Sequence, residues 1–203
     1  NITQKREMSN TTNNFKIIDV DLDHKIATLS QVFQFCRDEL KGSGWKMERS
    51  DGKENSISGD NSKKHSQFEL DFITLCSDFL NKNGFAVQNE FKEMDKDYLI
   101  EVHKAVVNGE TIETQLCEHQ DSQGAVDFDV NTLLCYTANT VEGGHLQFYN
   151  NYNGMVEESH IIDTRPSKDK ARIILMDGDI WHKPLPIEGK GKRELVVVQI
   201  KKK

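Results

Sequence analysis

Three residues in this chain have the types and spacing to hold a metal ion. His119 and Asp121 lie within Glu118-His-Gln-Asp121, and His182 closes Asp177-Gly-Asp-Ile-Trp-His182. Residues two apart on a strand share a face, so a His-x-Asp on or just after a strand sends an imidazole and a carboxylate the same way. A second imidazole from a distant strand would complete a triangle on one side of a cation. Two imidazoles and one carboxylate leave neighbouring coordination positions open, which suits a redox-active iron. With water in a single fourth position, the same set suits hydrolytic zinc. A His-x-Asp triplet alone is a weak signal, because most such triplets are solvated turns.

His182 belongs to a longer unit, Asp177 to Ile200. It reads as a strand end, a Pro- and Gly-containing reversal, and a second strand opening near Arg193. The run Leu195–Ile200 is apolar and β-branched, as a buried strand should be. On that strand Arg193, Leu195, Val197 and Gln199 share one face, expected to point inward. Earlier, Thr132, Leu134 and Tyr136 alternate in the same way.

Five pieces follow one another in order: His119-Gln-Asp121, Asn131-Thr-Leu-Leu-Cys-Tyr136, Glu142-Gly-Gly-His-Leu-Gln-Phe148, Asp177-Gly-Asp-Ile-Trp-His182 and Gly191-Lys-Arg193. On these the sequence resembles the 2-oxoglutarate/Fe(II)-dependent oxygenase superfamily, most nearly its prolyl- and lysyl-hydroxylase-like branch. The resemblance implies that His119, Asp121 and His182 are the catalytic, metal-holding residues for Fe(II). It implies that 2-oxoglutarate chelates the iron and that Arg193 pairs with its C5 carboxylate, a task suited to a planar, always-charged guanidinium. Tyr136 is the implied helper at that carboxylate. Arg193 falls eleven residues after His182, slightly beyond the branch's usual spacing, which makes Lys192 a rival anchor. Gly189 and Gly191 could absorb the extra residue.

The implied activity is a dioxygenase that uses O2, with ascorbate in support, to hydroxylate a C–H bond and release succinate and CO2. The branch points to a protein or peptide side chain, prolyl or lysyl. A nucleic-acid demethylase or a small-molecule hydroxylase of the same superfamily is the alternative. From other classes come a zinc hydrolase and a non-catalytic jelly-roll binding protein.

The rest of the chain must position these groups. Apolar residues Ile26, Leu29, Val32, Phe33, Cys36 and Leu40 have helical spacing across about residues 23–41, and Phe72, Ile73, Cys76, Phe79 and Leu80 repeat it before Gly84. After Gly84 the period shortens. Extended runs then follow at Tyr98–Val102, Thr111–Cys117, Asn131–Tyr136, His145–Tyr149, Met155–Ile162, Arg172–Met176 and Arg193–Ile200, with Asn108-Gly109 read as a hairpin turn. The expected fold class is α+β, a double-stranded β-helix (jelly-roll) core with two N-terminal helices packed on one sheet. Residues 1–15 read as a flexible N-terminal segment and 16–203 as a single oxygenase domain. Residues 47–66 read as a mobile polar loop that, with the Asn108-Gly109 turn, could cover the site.

Composition narrows the partners. The 203 residues carry 26 Lys+Arg against 33 Asp+Glu, a formal charge of −7, which counts against a general nucleic-acid binder. Mean hydropathy is −0.65, and no apolar run reaches the ~18 residues of a membrane helix. Cys36, Cys76, Cys117 and Cys135 form no CxxC pair and read as small buried hydrophobes in a reducing compartment. With no targeting segment in the sequence given, we expect an intracellular, cytoplasmic protein.

Overall fold

Alternation along the longest strands divides the molecule into a helix-backed face and a cavity face. The computed structural model describes residues 15–35, 45–50, 54–59, 67–91, 97–113, 117–123, 128–150 and 158–203. Its elements are β1 (Phe15–Asp21), α1 (Lys25–Phe35), β2 (Trp45–Ser50), β3 (Glu54–Gly59), α2 (Gln67–Lys82), β4 (Tyr98–Asn108), β5 (Val130–Asn139), β6 (Glu142–Gly143), β7 (Leu146–Asn150), β8 (Glu158–Ile162), β9 (Lys170–Asp177), β10 (Trp181–Pro184), β11 (Ile187–Glu188) and β12 (Lys190–Lys201). A seven-stranded sheet runs in the order β1-β9-β5-β12-β4-β3-β2, beside a three-stranded sheet β10-β7-β8 and a two-stranded pair β11-β6. All of these pairings are antiparallel.

On one face of the large sheet Ile100, Leu133, Cys135, Ile173, Leu175, Val196 and Val198 share a core with Ile26 and Phe33 of α1 and Phe72, Ile73, Cys76 and Leu80 of α2. Each large apolar side chain fully buried there contributes about 1.5–3 kcal/mol. The stripe of α2 follows from its spacing. The helix ends at Asn83-Gly84, where the Phe85 amide returns to the Leu80 carbonyl at 3.0 Å. The opposite face carries Leu134, Tyr136, Ile174, Met176, Leu195 and Val197, packed with Leu146 and Phe148 of the three-stranded sheet. A β-bulge between Glu194 and Leu195, where β5 carries one extra residue, bends this face near Arg193.

The structure departs from the sequence reading in several places. Within residues 47–66, read as a loop, strands β2 and β3 form a hairpin, and β3 pairs with β4 from Glu54↔Ala105 to Ser58↔Glu101. Backbone pairing against a long neighbouring strand, not composition, makes that stretch extended; residues 51–53 and 60–66 lie outside the described residues. Asn108-Gly109 does not turn a hairpin. β4 is already flanked by β12 and β3, so the chain leaves the sheet and Ile112 pairs with Ile187 through two backbone bonds of 2.8 and 3.0 Å. Phe15 opens β1 instead of closing a flexible segment, while residues 1–14 lie outside the described residues. Cys76 and Cys135 are buried thiols, as expected, but Cys117 is exposed; Cys36 lies outside the described residues. No helix among the described residues is long and apolar enough to cross a membrane.

Candidate metal centre and its cavity

His119 and His182, 63 positions apart, meet as a mutually bonded antiparallel pair. The His119 amide donates to the His182 carbonyl and the His182 amide to the His119 carbonyl, both at 3.0 Å. Residues paired in this way send their side chains to the same side, and the two rings stand 4.3 Å apart between centroids. Asp121 opens a short 3-10 turn, Asp121–Gln123. That turn is tied down by the Ser122 amide, which donates to the Gly178 carbonyl at 3.0 Å. Position 178 must be glycine for this approach, since a Cβ there would come within 2.3 Å of the Val130 carbonyl oxygen.

The donor atoms face one another. Asp121 Oδ1 lies 3.6 Å from His119 Nε2 and 3.7 Å from His182 Nε2. Each imidazole also turns its Nδ1 to the carbonyl two residues earlier, His119 to Cys117 and His182 to Ile180, both at 2.9 Å. A carbonyl only accepts, so each Nδ1 carries the proton and each Nε2 presents a lone pair toward the centre. Burial holds the His182 pKa below its ordinary value, against the opposing Asp121 charge and with the help of His119. The remaining Asp121 oxygen, Oδ2, accepts from Thr132 Oγ1 at 2.6 Å. Two lone-pair nitrogens and one carboxylate oxygen, each oriented by an outer partner, fit a divalent first-row metal ion.

The triad lines a cavity of about 310 Å³ enclosed by the large sheet's inner face and the chain around β10 and β11, at the small end of the usual range for small-molecule sites, roughly 300–1,000 Å³. Its middle is apolar, with Leu134, Leu146, Met176, Leu195 and Val197. Arg193 and Tyr136 also line it, and both are buried. Burial pushes the Tyr136 phenol up to about 12 even though Arg193 pulls it down, so it stays protonated and able to donate. Lys192 is outside the cavity: its side chain is 52% exposed and 3.5 Å from Glu194. The turn preceding β12 contains Gly189, whose φ of +79° only glycine adopts readily.

All five sequence-derived residues, His119, Asp121, His182, Arg193 and Tyr136, thus border one cavity, and the rival Lys192 does not. Among the other histidines, His145 sits near Asp163 and accepts from the Thr164 amide at 3.4 Å, away from the cavity. His103 does line it, with its Nε2 3.1 Å from Glu101. Trp181 pairs across the ladder with Tyr149 and does not line it. Asp177 and Asp179 both accept from Lys202, at 2.7 and 2.9 Å.

Sequence reasoning missed four contributors. Thr132 was legible, being in the alternation with Leu134 and Tyr136. Glu118, which accepts from Lys183 at 2.9 Å and from Tyr149 at 3.3 Å and so fastens the chain beside His119 to β10 and β7, carried no local signal. Gln199 was legible in the same way, on the inward face shared with Leu195 and Val197, whereas Glu101 is visible only once β4 is known to lie beside β12.

No family model and no curated protein matches the sequence. Solved structures do match the fold. A Pseudomonas putida prolyl-4-hydroxylase aligns over 95% of this chain and 94% of its own at 11% identity, with a TM-score of 0.54. A Trichoplax adhaerens prolyl hydroxylase, solved with a hypoxia inducible factor oxygen degradation domain peptide fragment, aligns over 93% and 84% at 16% identity and TM-score 0.55. HygX from Streptomyces hygroscopicus, solved with nickel and 2-oxoglutarate, aligns over 94% and 84% at 10% identity and TM-score 0.55. The mostly antiparallel sheet with its two helices is therefore the fold of the 2-oxoglutarate/Fe(II) oxygenases, prolyl hydroxylases among them.

Proposed function

We propose that this protein is an Fe(II)- and 2-oxoglutarate-dependent dioxygenase that hydroxylates a C–H bond on a protein or peptide side chain, prolyl or lysyl, built on a double-stranded β-helix. The observation that carries the proposal is the inward-facing set of His119 Nε2, Asp121 Oδ1 and His182 Nε2 at one end of a cavity that also holds a buried arginine. When bound, iron and 2-oxoglutarate would supply the oxidising chemistry, reducing O2 as the cosubstrate loses CO2 to become succinate and one oxygen atom enters the substrate C–H bond.

The chain's own residues do the rest. His119, Asp121 and His182 hold the metal, and Thr132 fixes which Asp121 oxygen faces it. Arg193 receives the C5 carboxylate and the protonated Tyr136 hydroxyl donates to it, in charge-assisted hydrogen bonds strengthened by burial. Leu134, Leu146, Met176, Leu195 and Val197 exclude water from the space between. A peptide substrate is supported by the peptide bound to the Trichoplax relative. Ascorbate would act in support, keeping the iron reduced.

The test is succinate formation from 2-oxoglutarate with Fe(II), O2 and ascorbate, in wild type and in His182→Ala. Turnover in wild type and none in the variant is expected. Absence of both succinate and bound iron in wild type would sink the proposal, and tight zinc with hydrolytic activity would favour a zinc hydrolase instead.

A further inference from the structure

Along β4 the side chains alternate between the two faces of the sheet. Tyr98, Ile100 and Val102 join the helix-backed core, while Leu99, Glu101 and His103 line the metal cavity. Glu101 stands in an otherwise apolar row, opposite Val197 of β12, which is itself opposite Leu134 of β5. A carboxylate on such a wall gives up part of its hydration, a cost that an apolar residue there would avoid. The Glu101 side chain is 25% exposed, within reach of a molecule in the cavity that it lines. Its Oε2 accepts from His103 Nε2 at 3.1 Å. An ionised carboxylate has about four lone-pair sites, enough to accept from His103 and from a ligand together.

Charge is segregated along this cavity. Arg193 is opposite Ala105, four residues from Glu101 along β4 and roughly 13 Å away at the backbone. Glu101 lies toward the triad instead, since the next cavity-facing pair, Leu99 and Gln199, is in line with Thr132, which holds Asp121. Glu113, an exposed residue, adds a second carboxylate to the lining. Among the described residues no lysine lines the cavity, and Arg193 is its one arginine. A dicarboxylate with its far end on Arg193 is repelled by the Glu101 wall, and that wall attracts a cation in a water-poor space where charges act strongly.

Building on the dioxygenase reading, we infer that Glu101 is a substrate-selecting residue whose carboxylate accepts an N–H from a cationic substrate side chain, so that the site takes an amine-bearing, lysyl-type side chain over a prolyl ring. An ammonium brings three donors and a full positive charge. A prolyl ring within a peptide brings neither, and its entry would dehydrate Glu101 without compensation.

The inference can be tested with Mn(II)-loaded protein saturated with 2-oxoglutarate, by measuring the paramagnetic relaxation of three small probes, the N-acetyl methylamides of lysine, norleucine and proline. Norleucine keeps the lysyl carbon chain and lacks the ammonium. Wild type should relax the lysyl side-chain protons about 10-fold more than those of either neutral probe. Glu101→Gln, which keeps the shape and removes the charge, should reduce that ratio to about 2-fold or less. Glu101→Lys should reverse the preference, relaxing N-acetyl-glutamate methylamide more than the lysyl probe, which a loss of packing alone would not do. Equal or greater relaxation of a neutral probe by wild type, no relaxation of any probe, an unchanged ratio in Glu101→Gln, or a lysyl preference kept in Glu101→Lys would each overturn the inference while leaving the dioxygenase reading standing. Failure of wild type to take up both Mn(II) and 2-oxoglutarate would remove that reading and this inference together.

Discussion

Thr132 Oγ1 donates to Asp121 Oδ2 at 2.6 Å, and this bond decides that the other carboxylate oxygen turns toward His119 and His182. Thr132→Val keeps the β-branched shape and deletes the donor. Outer partners of this kind typically set 10–100-fold in metal affinity, so calorimetric titration with Mn(II) should show Thr132→Val weakened by about 10-fold or more. Thr132→Ser, which restores a hydroxyl, should recover most of the loss. Equal affinity in wild type and Thr132→Val would mean that the short 3-10 turn alone orients Asp121.

Arg193 and Lys192 are adjacent in sequence but lie on opposite faces of β12, one buried in the cavity and the other exposed. Removing one partner of a buried charged pair costs about 2–5 kcal/mol. Arg193→Ala should therefore raise the 2-oxoglutarate Kd by about 30-fold or more, and Arg193→Lys should recover part of it because a point charge replaces a planar fork. Lys192→Ala should stay within about 2-fold of wild type, as surface substitutions generally do. A larger effect at Lys192 than at Arg193 would reverse the assignment of the anchor.

Much of this site could be read from the sequence because its parts obey short-range rules. The alternation of Leu195, Val197 and Gln199 placed Arg193 on an inward face, and the spacing of Phe72, Cys76 and Leu80 placed α2 against the sheet. The misses share one physical origin, pairing between segments distant in the chain. β2 and β3 have a loop's composition and become strands because β3 joins β4 and β2 joins β3. Asn108-Gly109 has a hairpin's chemistry, but both edges of β4 are already taken. Phe15–Asp21 alternates poorly and is extended because it pairs with β9 along its whole length. Glu101 entered the site unannounced for the same reason, since only the β4–β12 register brings it to the cavity.

Tyr136 is the donor whose contribution can be isolated most cleanly. Its phenol is held protonated, with a pKa of about 12 set by burial against the opposing Arg193 charge. With Tyr136 in the proposed role, Tyr136→Phe removes one hydrogen bond to the C5 carboxylate, about 1.5–3 kcal/mol, and should weaken 2-oxoglutarate binding by about 10-fold or more while leaving Mn(II) binding close to wild type. The wild-type advantage should be constant between about pH 7 and 9, below the phenol's titration. An advantage that disappears across that interval would show that the phenol ionises there and that Arg193 outweighs burial.

The edge strand β1 is fastened to β9 by an ion pair whose pH dependence can be worked out. Arg172 donates from Nε to Asp19 Oδ1 at 2.7 Å and from Nη2 to Asp19 Oδ2 at 2.8 Å, and its Nη1 reaches the Asp163 carbonyl at 2.7 Å. The hydrogen bond from Arg172 holds the Asp19 pKa below its ordinary 3.8, against a smaller opposing effect of burial. A carboxylate with a depressed folded-state pKa binds fewer protons in the folded than in the unfolded state. Its stabilisation is therefore complete above the ordinary value and is lost as pH falls through the folded one. Both side chains are only partly exposed, 17% for Arg172 and 25% for Asp19, so the bidentate geometry should contribute about 1 kcal/mol, more than most surface pairs. Urea unfolding should place Asp19→Asn below wild type by about that amount from about pH 5 to 8, with the gap closing below about pH 4 as the wild-type carboxyl protonates. A gap that persists unchanged in acid would assign the loss to packing of β1 against β9 and not to the charge.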